Sequence, residues 1–165
     1  MLPENIKNLI GQSFGTSIFE IEKESVGRFA DAVGDANPLY RDAEYAAKSR
    51  YGSVIAPPGY ISAQWYWGGS VNSDRKDPSL EISGLIDVIL ALAEAGYQQA
   101  LDSGIDYEFF RPVHVGDTIK ATSVVKDIVE RSSGGEKAVF LFTETTYTNQ
   151  DNETVAVTRT TSTHR

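Results

Sequence analysis

The chain has 165 residues, 41% of them hydrophobic and 23% charged, with a net charge of -8 and no cysteine. One domain, residues 1–165, fits that length, and an acidic balance with no Lys/Arg cluster excludes nucleic acid and anionic lipid as partners. With no thiol there is neither a disulfide nor a thiolate metal site; separately, no metal and no cofactor is expected. The start, Met1-Leu2-Pro3-Glu4-Asn5, lacks the basic and apolar regions of a signal peptide. The most apolar run, Val88 to Ala93, sits between Asp87 and Glu94 and is too short to cross a bilayer. These features predict a cytoplasmic protein with no membrane segment.

In chain order, Phe14–Ile21 reads as a short strand, with Phe14, Ile18 and Phe19 as core candidates. Val26, Phe29, Ala30 and Val33 recur at helical spacing and give one apolar face, which Gly34 ends. Asp42–Lys48 is a second short helix, with Asp42 as its N-cap candidate. In Ser53-Val54-Ile55-Ala56-Pro57-Pro58-Gly59 the two prolines hold the preceding residues extended and then allow a helix to start. That helix carries Tyr60, Ile61, Trp65, Tyr66 and Trp67, a spacing that speaks for core or interface. Gly68–Ser79 is rich in turn formers and reads as a loop. Gly84–Ala95 is rich in helix formers and reads as a helix.

From Tyr97 the texture changes. Tyr97–Phe110, Thr118–Glu130, Lys137–Thr148 and Thr154–Thr163 are strand candidates. Alternation is clear in Val139, Leu141, Thr143 and Thr145 against Ala138, Phe140, Phe142 and Glu144. The breaks are turn chemistry, at Gly116-Asp117, Ser132–Gly135 and Asn149–Asn152. Short links imply an antiparallel meander, and helices followed by antiparallel strands are the α+β pattern. A single sheet with one helical layer leaves a face or an edge to be covered, which dimerisation can do.

The chemistry-bearing stretch is Gly34-Asp35-Ala36-Asn37-Pro38-Leu39-Tyr40-Arg41-Asp42. Asn-Pro directly after a helix dictates a tight extended turn. Taken alone it is a polar loop, in which Asp35 serves as a helix-end or N-cap residue and Asp42 as an N-cap. Two further stretches follow in order: Tyr51-Gly52-Ser53-Val54-Ile55-Ala56-Pro57-Pro58-Gly59-Tyr60, and Asp106–Ile119 with its Arg111-Pro112-Val113-His114-Val115-Gly116-Asp117 turn. The ordered set resembles the MaoC-like hydratases and dehydratases, the (R)-specific enoyl-CoA hydratases and 3-hydroxyacyl-thioester dehydratases. The Ala-Pro-Pro variant and the tyrosine resemble the branch known as the MaoC dehydratase N-terminal domain.

That resemblance implies a hot-dog fold: a curved antiparallel sheet wrapped around one long central helix. It implies a thioester ligand, acyl-CoA or acyl-carrier protein, and a homodimer or a heterodimer with another hot-dog subunit. Hydration of an enoyl thioester needs a water activated against the β-carbon, a proton for the α-carbon, and donors for the enolate-like oxygen. The family's motif pairs Asp with His for the proton work, because histidine titrates near neutral pH. Asp35 matches the Asp. Asn37 matches the motif's Asn, which orders the loop, and Gly59 at the head of the central helix is the candidate backbone oxyanion donor. Ala56, Pro58 and Tyr60 complete the substrate-binding set that the resemblance implies.

Tyr40 stands where active members carry the His. A tyrosine of ordinary pKa, about 10, is protonated at pH 7 and is a poor general base. It can donate a hydrogen bond or pack. Losing the histidine should cost about 10² to 10⁴ in rate. The two histidines present, His114 and His164, lie outside the motif and read as surface or partly buried residues. The expectation is an acyl-thioester-binding subunit of a hydratase or dehydratase, completed by a hot-dog partner that brings Asp and His. The alternatives are a self-sufficient homodimer using Asp35 and Tyr40, and an acyl-CoA-binding protein without catalysis.

Overall fold

The computed structural model describes residues 2–67, 83–133 and 135–165, with the side chains at 14–15, 64–67, 83–87 and 133 outside that description. Five strands form one antiparallel sheet: β1 (Ser13–Glu20), β2 (Ala100–Phe109), β3 (Thr118–Ser133), β4 (Glu136–Thr148) and β5 (Thr154–His164), in the order β1-β3-β4-β5-β2. The helices are α1 (Glu4–Lys7), α2 (Lys23–Ala32), α3 (Ala43–Ala47), α4 (Tyr60–Trp67) and α5 (Ser83–Glu94), with a 3₁₀ turn at Pro38–Tyr40.

β3 pairs with β4 and β4 with β5 as a meander does, but the expected meander does not include β2: the link through Gly116-Asp117 crosses over, so that β2 pairs with β5 and β3 takes β1 as its other neighbour. On β4 the buried residues Val139, Leu141, Thr145 and Tyr147 follow the period of two. On β3 the buried set switches from Ile119, Ala121, Ser123 and Val125 to Ile128, because the register shifts between Val125 and Asp127. One extra residue there inverts which face each later side chain takes.

The core has two centres. Val26 and Ala30 of α2 and Tyr60 and Ile61 of α4 pack with Ile119, Ala121 and Tyr147 of the sheet. At the other end Val88 and Leu92 of α5 and Ile6 of α1 pack with Val125, Ile128, Val139 and Leu141. The buried Ser123 and Thr145 hydroxyls bond each other at 2.8 Å on the same face of β3 and β4.

Several sequence expectations shift by a turn or a face. Ile18 lies exposed while Phe19 packs on the core, since neighbours on a strand point to opposite sides. Val33 is exposed at the C-cap of α2, where the chain leaves helical geometry. The strand predicted from Tyr97 begins at Ala100, because the Tyr97 N–H donates to the Leu92 carbonyl (2.9 Å) beside Gly96 at φ 98° and so closes α5. Helix α1 was not anticipated. The Gly68–Ser79 loop and the Trp65, Tyr66 and Trp67 side chains fall outside the described residues. β2 is an edge strand with all ten residues exposed, including Leu101, Ile105, Tyr107 and Phe109.

Candidate functional site

The motif loop is built by its own polar side chains. Gly34 takes φ 71° at the end of α2, a conformation that favours glycine. The Asn37 N–H donates to Asp35 Oδ1 (3.0 Å) and the Leu39 N–H to Asn37 Oδ1 (3.1 Å), so two side chains in succession cap a turn with Pro38 at its first position. Arg41 braces the loop from outside, donating to the Asp35 carbonyl (3.0 Å) and to Asp31 (2.8 Å). Asp42 caps α3 by accepting from the Glu44 and Tyr45 N–H groups.

The segment before α4 is stitched between this turn and the β2–β3 connection. The Ile55 N–H donates to the Leu39 carbonyl, the Ala56 N–H to Val113, and the Val115 N–H to Val54. These bonds bring together three stretches that lie far apart in sequence. A cavity of about 430 Å³ opens where they meet, within the range of small-molecule sites.

Asn37, Tyr40, Ala56 and Pro58 line that cavity, so four of the residues named from the sequence meet there. Asp35, Gly59 and Tyr60 are not among its lining residues. Asp35 is half-buried, and its carboxylate holds the Asn37 amide. Tyr60 is only 1% exposed, its ring edge-on to Phe29 at 5.6 Å, and among the described residues its hydroxyl has no hydrogen-bond partner at bonding geometry. Burial raises its pKa, with Ser25 pulling the other way. Gly59 sits at φ 85°, and its carbonyl accepts from Ser62 Oγ (2.8 Å), which also pairs with the Tyr107 hydroxyl (2.5 Å). The edge strand is thus tied to the first turn of α4.

Tyr40 is 7% exposed. Burial first, then the Asp35 carboxylate and the Tyr51 phenol, raise its pKa above 10, against a smaller pull from Asn37. At neutral pH it is a hydrogen-bond donor. The remaining polar groups of the wall are Tyr51, Arg50 and Arg111, which the sequence reading had not assigned; the apolar part includes Leu39, Ile55, Ile61 and Phe109. Among the described lining residues there is no histidine, carboxylate, lysine or serine. The described wall can face an apolar chain and donate hydrogen bonds, and among the described lining residues there is no group able to take a proton near pH 7.

Neither histidine is among the described residues that line the cavity. His114 is half-buried beside the site, with Nδ1 2.6 Å from Ser53 Oγ. His164, expected at the surface or partly buried, is only 2% exposed: β5 carries it between Val139 of β4 and Ala100 of β2, and Ser162 Oγ lies 2.9 Å from its Nε2. Burial lowers its pKa.

The chain is similar to known proteins in sequence and in fold. Residues 8–158 match the family described as FAS1-like, dehydratase domain region. A UPF0336 protein of Streptomyces coelicolor is 32% identical over 124 residues, 74% of this chain and 72% of that one. A protein of Thermomonospora curvata, named a probable enoyl-CoA hydratase alpha subunit, is 30% identical over 135 residues, 81% of this chain and 41% of that one. In fold, the ChsH1-ChsH2 complex from Mycobacterium tuberculosis superposes with a TM-score of 0.76 at 19% identity, covering 96% of this chain and 86% of that chain. With the sheet and the family match in agreement, the chain belongs to the family of the FAS1-like dehydratase domain region and has the hot-dog fold that it shares with MaoC-like dehydratases.

Proposed function

We infer that this chain is the acyl-thioester-binding subunit of an (R)-specific enoyl-CoA hydratase or 3-hydroxyacyl-thioester dehydratase, and that a second hot-dog subunit supplies the proton-transfer pair. The observation that carries this reading is Tyr40. It occupies the motif position of the base, lines the cavity, and is held protonated by burial and by Asp35. Asn37 lines the cavity beside it, so the loop that shapes the site is intact.

In this reading the thioester lies against Asn37, Ala56 and Pro58, and the Tyr40 hydroxyl donates to the thioester oxygen or to a water. Gly59 at the head of α4 remains the candidate backbone donor to the enolate oxygen. The partner docks on β2, which among the described residues has a strand on one side only and carries exposed apolar side chains. Two similarities support a paired assembly: one relative is named an alpha subunit, and one fold neighbour is a complex of two named chains.

The test is to purify the chain alone and after co-expression with hot-dog subunits of its own organism that carry an intact Asp–His pair. Native mass and enoyl-CoA hydration are measured on each sample. The chain alone should bind enoyl-CoA and hydrate it poorly, and the right pair should hydrate it well. Hydration by the chain alone at ordinary enzymatic rates would overturn the reading.

A further inference from the structure

We propose that Arg50 and Arg111 form a phosphate-binding rim at the mouth of the cavity and hold the phosphate of a phosphopantetheine thioester; the proposal rests on the thioester-binding reading above. Acidic side chains outnumber basic ones in the chain, 23 to 15. Yet among the described residues lining the cavity the charged ones are these two arginines, and the carboxylate that pairs with Arg111, Glu153, is not on the wall. A wall whose described charges are both cations favours an anionic ligand.

The two guanidinium groups come from separate stretches, Arg50 from the end of the α3 connection and Arg111 from the residues just after β2. Both are exposed, whereas Tyr40 is buried. A ligand that touches all three has its charge outside and its reacting end inside. Acyl-pantetheine thioesters with a phosphate at the far end of the arm have that layout. Apolar Ile55, Ile61 and Phe109 suit the acyl portion.

Each arginine is oriented before any ligand arrives. Arg50 donates from Nη2 to the Tyr51 hydroxyl (2.6 Å) and stands over the Tyr51 ring, 4.8 Å from its centre. Arg111 pairs with Glu153 at 2.9 Å. A guanidinium has five donors in a planar fork, so each arginine keeps donors for phosphate while held by its neighbour. Coenzyme A and a carrier protein share the 4′-phosphopantetheine phosphate, and the rim reads that shared group.

The experiment measures binding of four probes to the full chain by calorimetry: crotonyl-pantetheine, crotonyl-4′-phosphopantetheine, crotonyl-CoA and crotonyl-carrier protein. The proteins are wild type, Arg50→Gln, Arg111→Gln, the double variant and Glu153→Gln. Wild type should bind crotonyl-4′-phosphopantetheine more tightly than crotonyl-pantetheine, each arginine accounting for about three- to tenfold. Added salt should shrink the difference, and the double variant should abolish it while still binding crotonyl-pantetheine. Glu153→Gln separates the roles of Arg111, since it breaks the ion pair and leaves the cation. It should bind the phosphorylated probe at least as well as wild type. A loss equal to that of Arg111→Gln would assign Arg111 to structure and overturn its share of the rim.

Equal affinity of wild type for the probes with and without phosphate would overturn the proposal while leaving the thioester reading standing. Binding of none of the four would overturn the thioester reading and the rim with it. A further gain with crotonyl-CoA, or with the carrier protein, over the phosphopantetheine probe identifies the physiological source of the phosphate the rim reads.

Discussion

Replacing Tyr40 by histidine tests whether the missing base is what silences this site. A phenol with a pKa of at least 10 is deprotonated in at most about one molecule in a thousand at pH 7, and burial and Asp35 push the Tyr40 phenol higher still. An imidazole of ordinary pKa, about 6.5, is mostly free base at the same pH. The population of usable base therefore rises by about three orders of magnitude, which falls inside the 10²- to 10⁴-fold range of general-base catalysis. The loop tolerates the change because the Asp35 and Asn37 side chains hold the backbone rather than the Tyr40 ring. The smaller side chain leaves a void, costing about 1–3 kcal/mol of stability, which thermal unfolding measures alongside. The assay follows loss of enoyl absorbance with crotonyl-CoA for the chain alone. Tyr40→His should hydrate at least about 10² faster than wild type. No gain in a variant that stays folded and keeps its ligand affinity would refute the argument that the base alone is missing. Tyr40→Phe removes the proposed hydrogen-bond donor and adds no base, so it should show no gain in rate, and a gain matching that of Tyr40→His would also refute the argument.

Three further outcomes follow from the same geometry. Asn37→Ala and Asp42→Ala each remove a side-chain cap and should each cost about 1 kcal/mol in denaturant unfolding, but only Asn37→Ala should weaken enoyl-CoA binding, since Asn37 lines the cavity. His164 has its pKa lowered by burial, so the unfolded chain takes up its proton first; its contribution is complete above about pH 6.5 and is lost as pH falls below that value. The His164→Gln variant should therefore lose less stability than wild type between about pH 7.5 and 5.5, and identical profiles would show that another group governs that window. Leu101→Lys combined with Ile105→Lys on the exposed edge strand should abolish assembly in native mass measurements while leaving the circular dichroism melt of the chain unchanged within about 0.5 kcal/mol.

The sheet was legible in the sequence because its signals are local. Alternation along Val139–Thr145 and the turn residues at Ser132–Gly135 and Asn149–Asn152 state β3, β4 and β5 and their order, but Gly116-Asp117 does not make β2 and β3 neighbours, since β2 crosses to pair with β5 and β3 takes β1 instead. The burial switch within β3 was not legible, because a bulge is settled by pairing with β4 rather than by the bulged strand's own pattern. The same division runs through the site. Asn37, Tyr40, Ala56 and Pro58 lie in two motifs that advertise themselves, and they line one cavity. Arg50, Tyr51 and Arg111 lie inside or beside the same motifs but were not assigned, since only tertiary stitching through the Leu39, Val54 and Val113 carbonyls turns their segments toward one opening. His164 was misjudged for a related reason: its place near the chain's end suggested exposure, whereas the Gln99–Arg165 backbone pair continues the ladder past it.

The edge strand and the cavity are one structure rather than two neighbours. Phe109 ends β2 and lines the cavity, and its ring stacks on Tyr107 at 5.6 Å with the planes 6° apart. Tyr107 in turn bonds Ser62, whose hydroxyl donates to the Gly59 carbonyl at the head of α4. A subunit that pairs with β2 therefore acts on one wall of the cavity and, through two hydrogen bonds, on the turn that carries the candidate oxyanion donor. In the proposed assembly the partner brings the proton-transfer pair and braces the acyl site through the same strand. That arrangement explains how a chain can keep the Asp35–Asn37 loop, the proline-flanked approach to α4 and an open cavity after its base position has become tyrosine: those features serve binding and geometry, which a paired enzyme still needs from both halves.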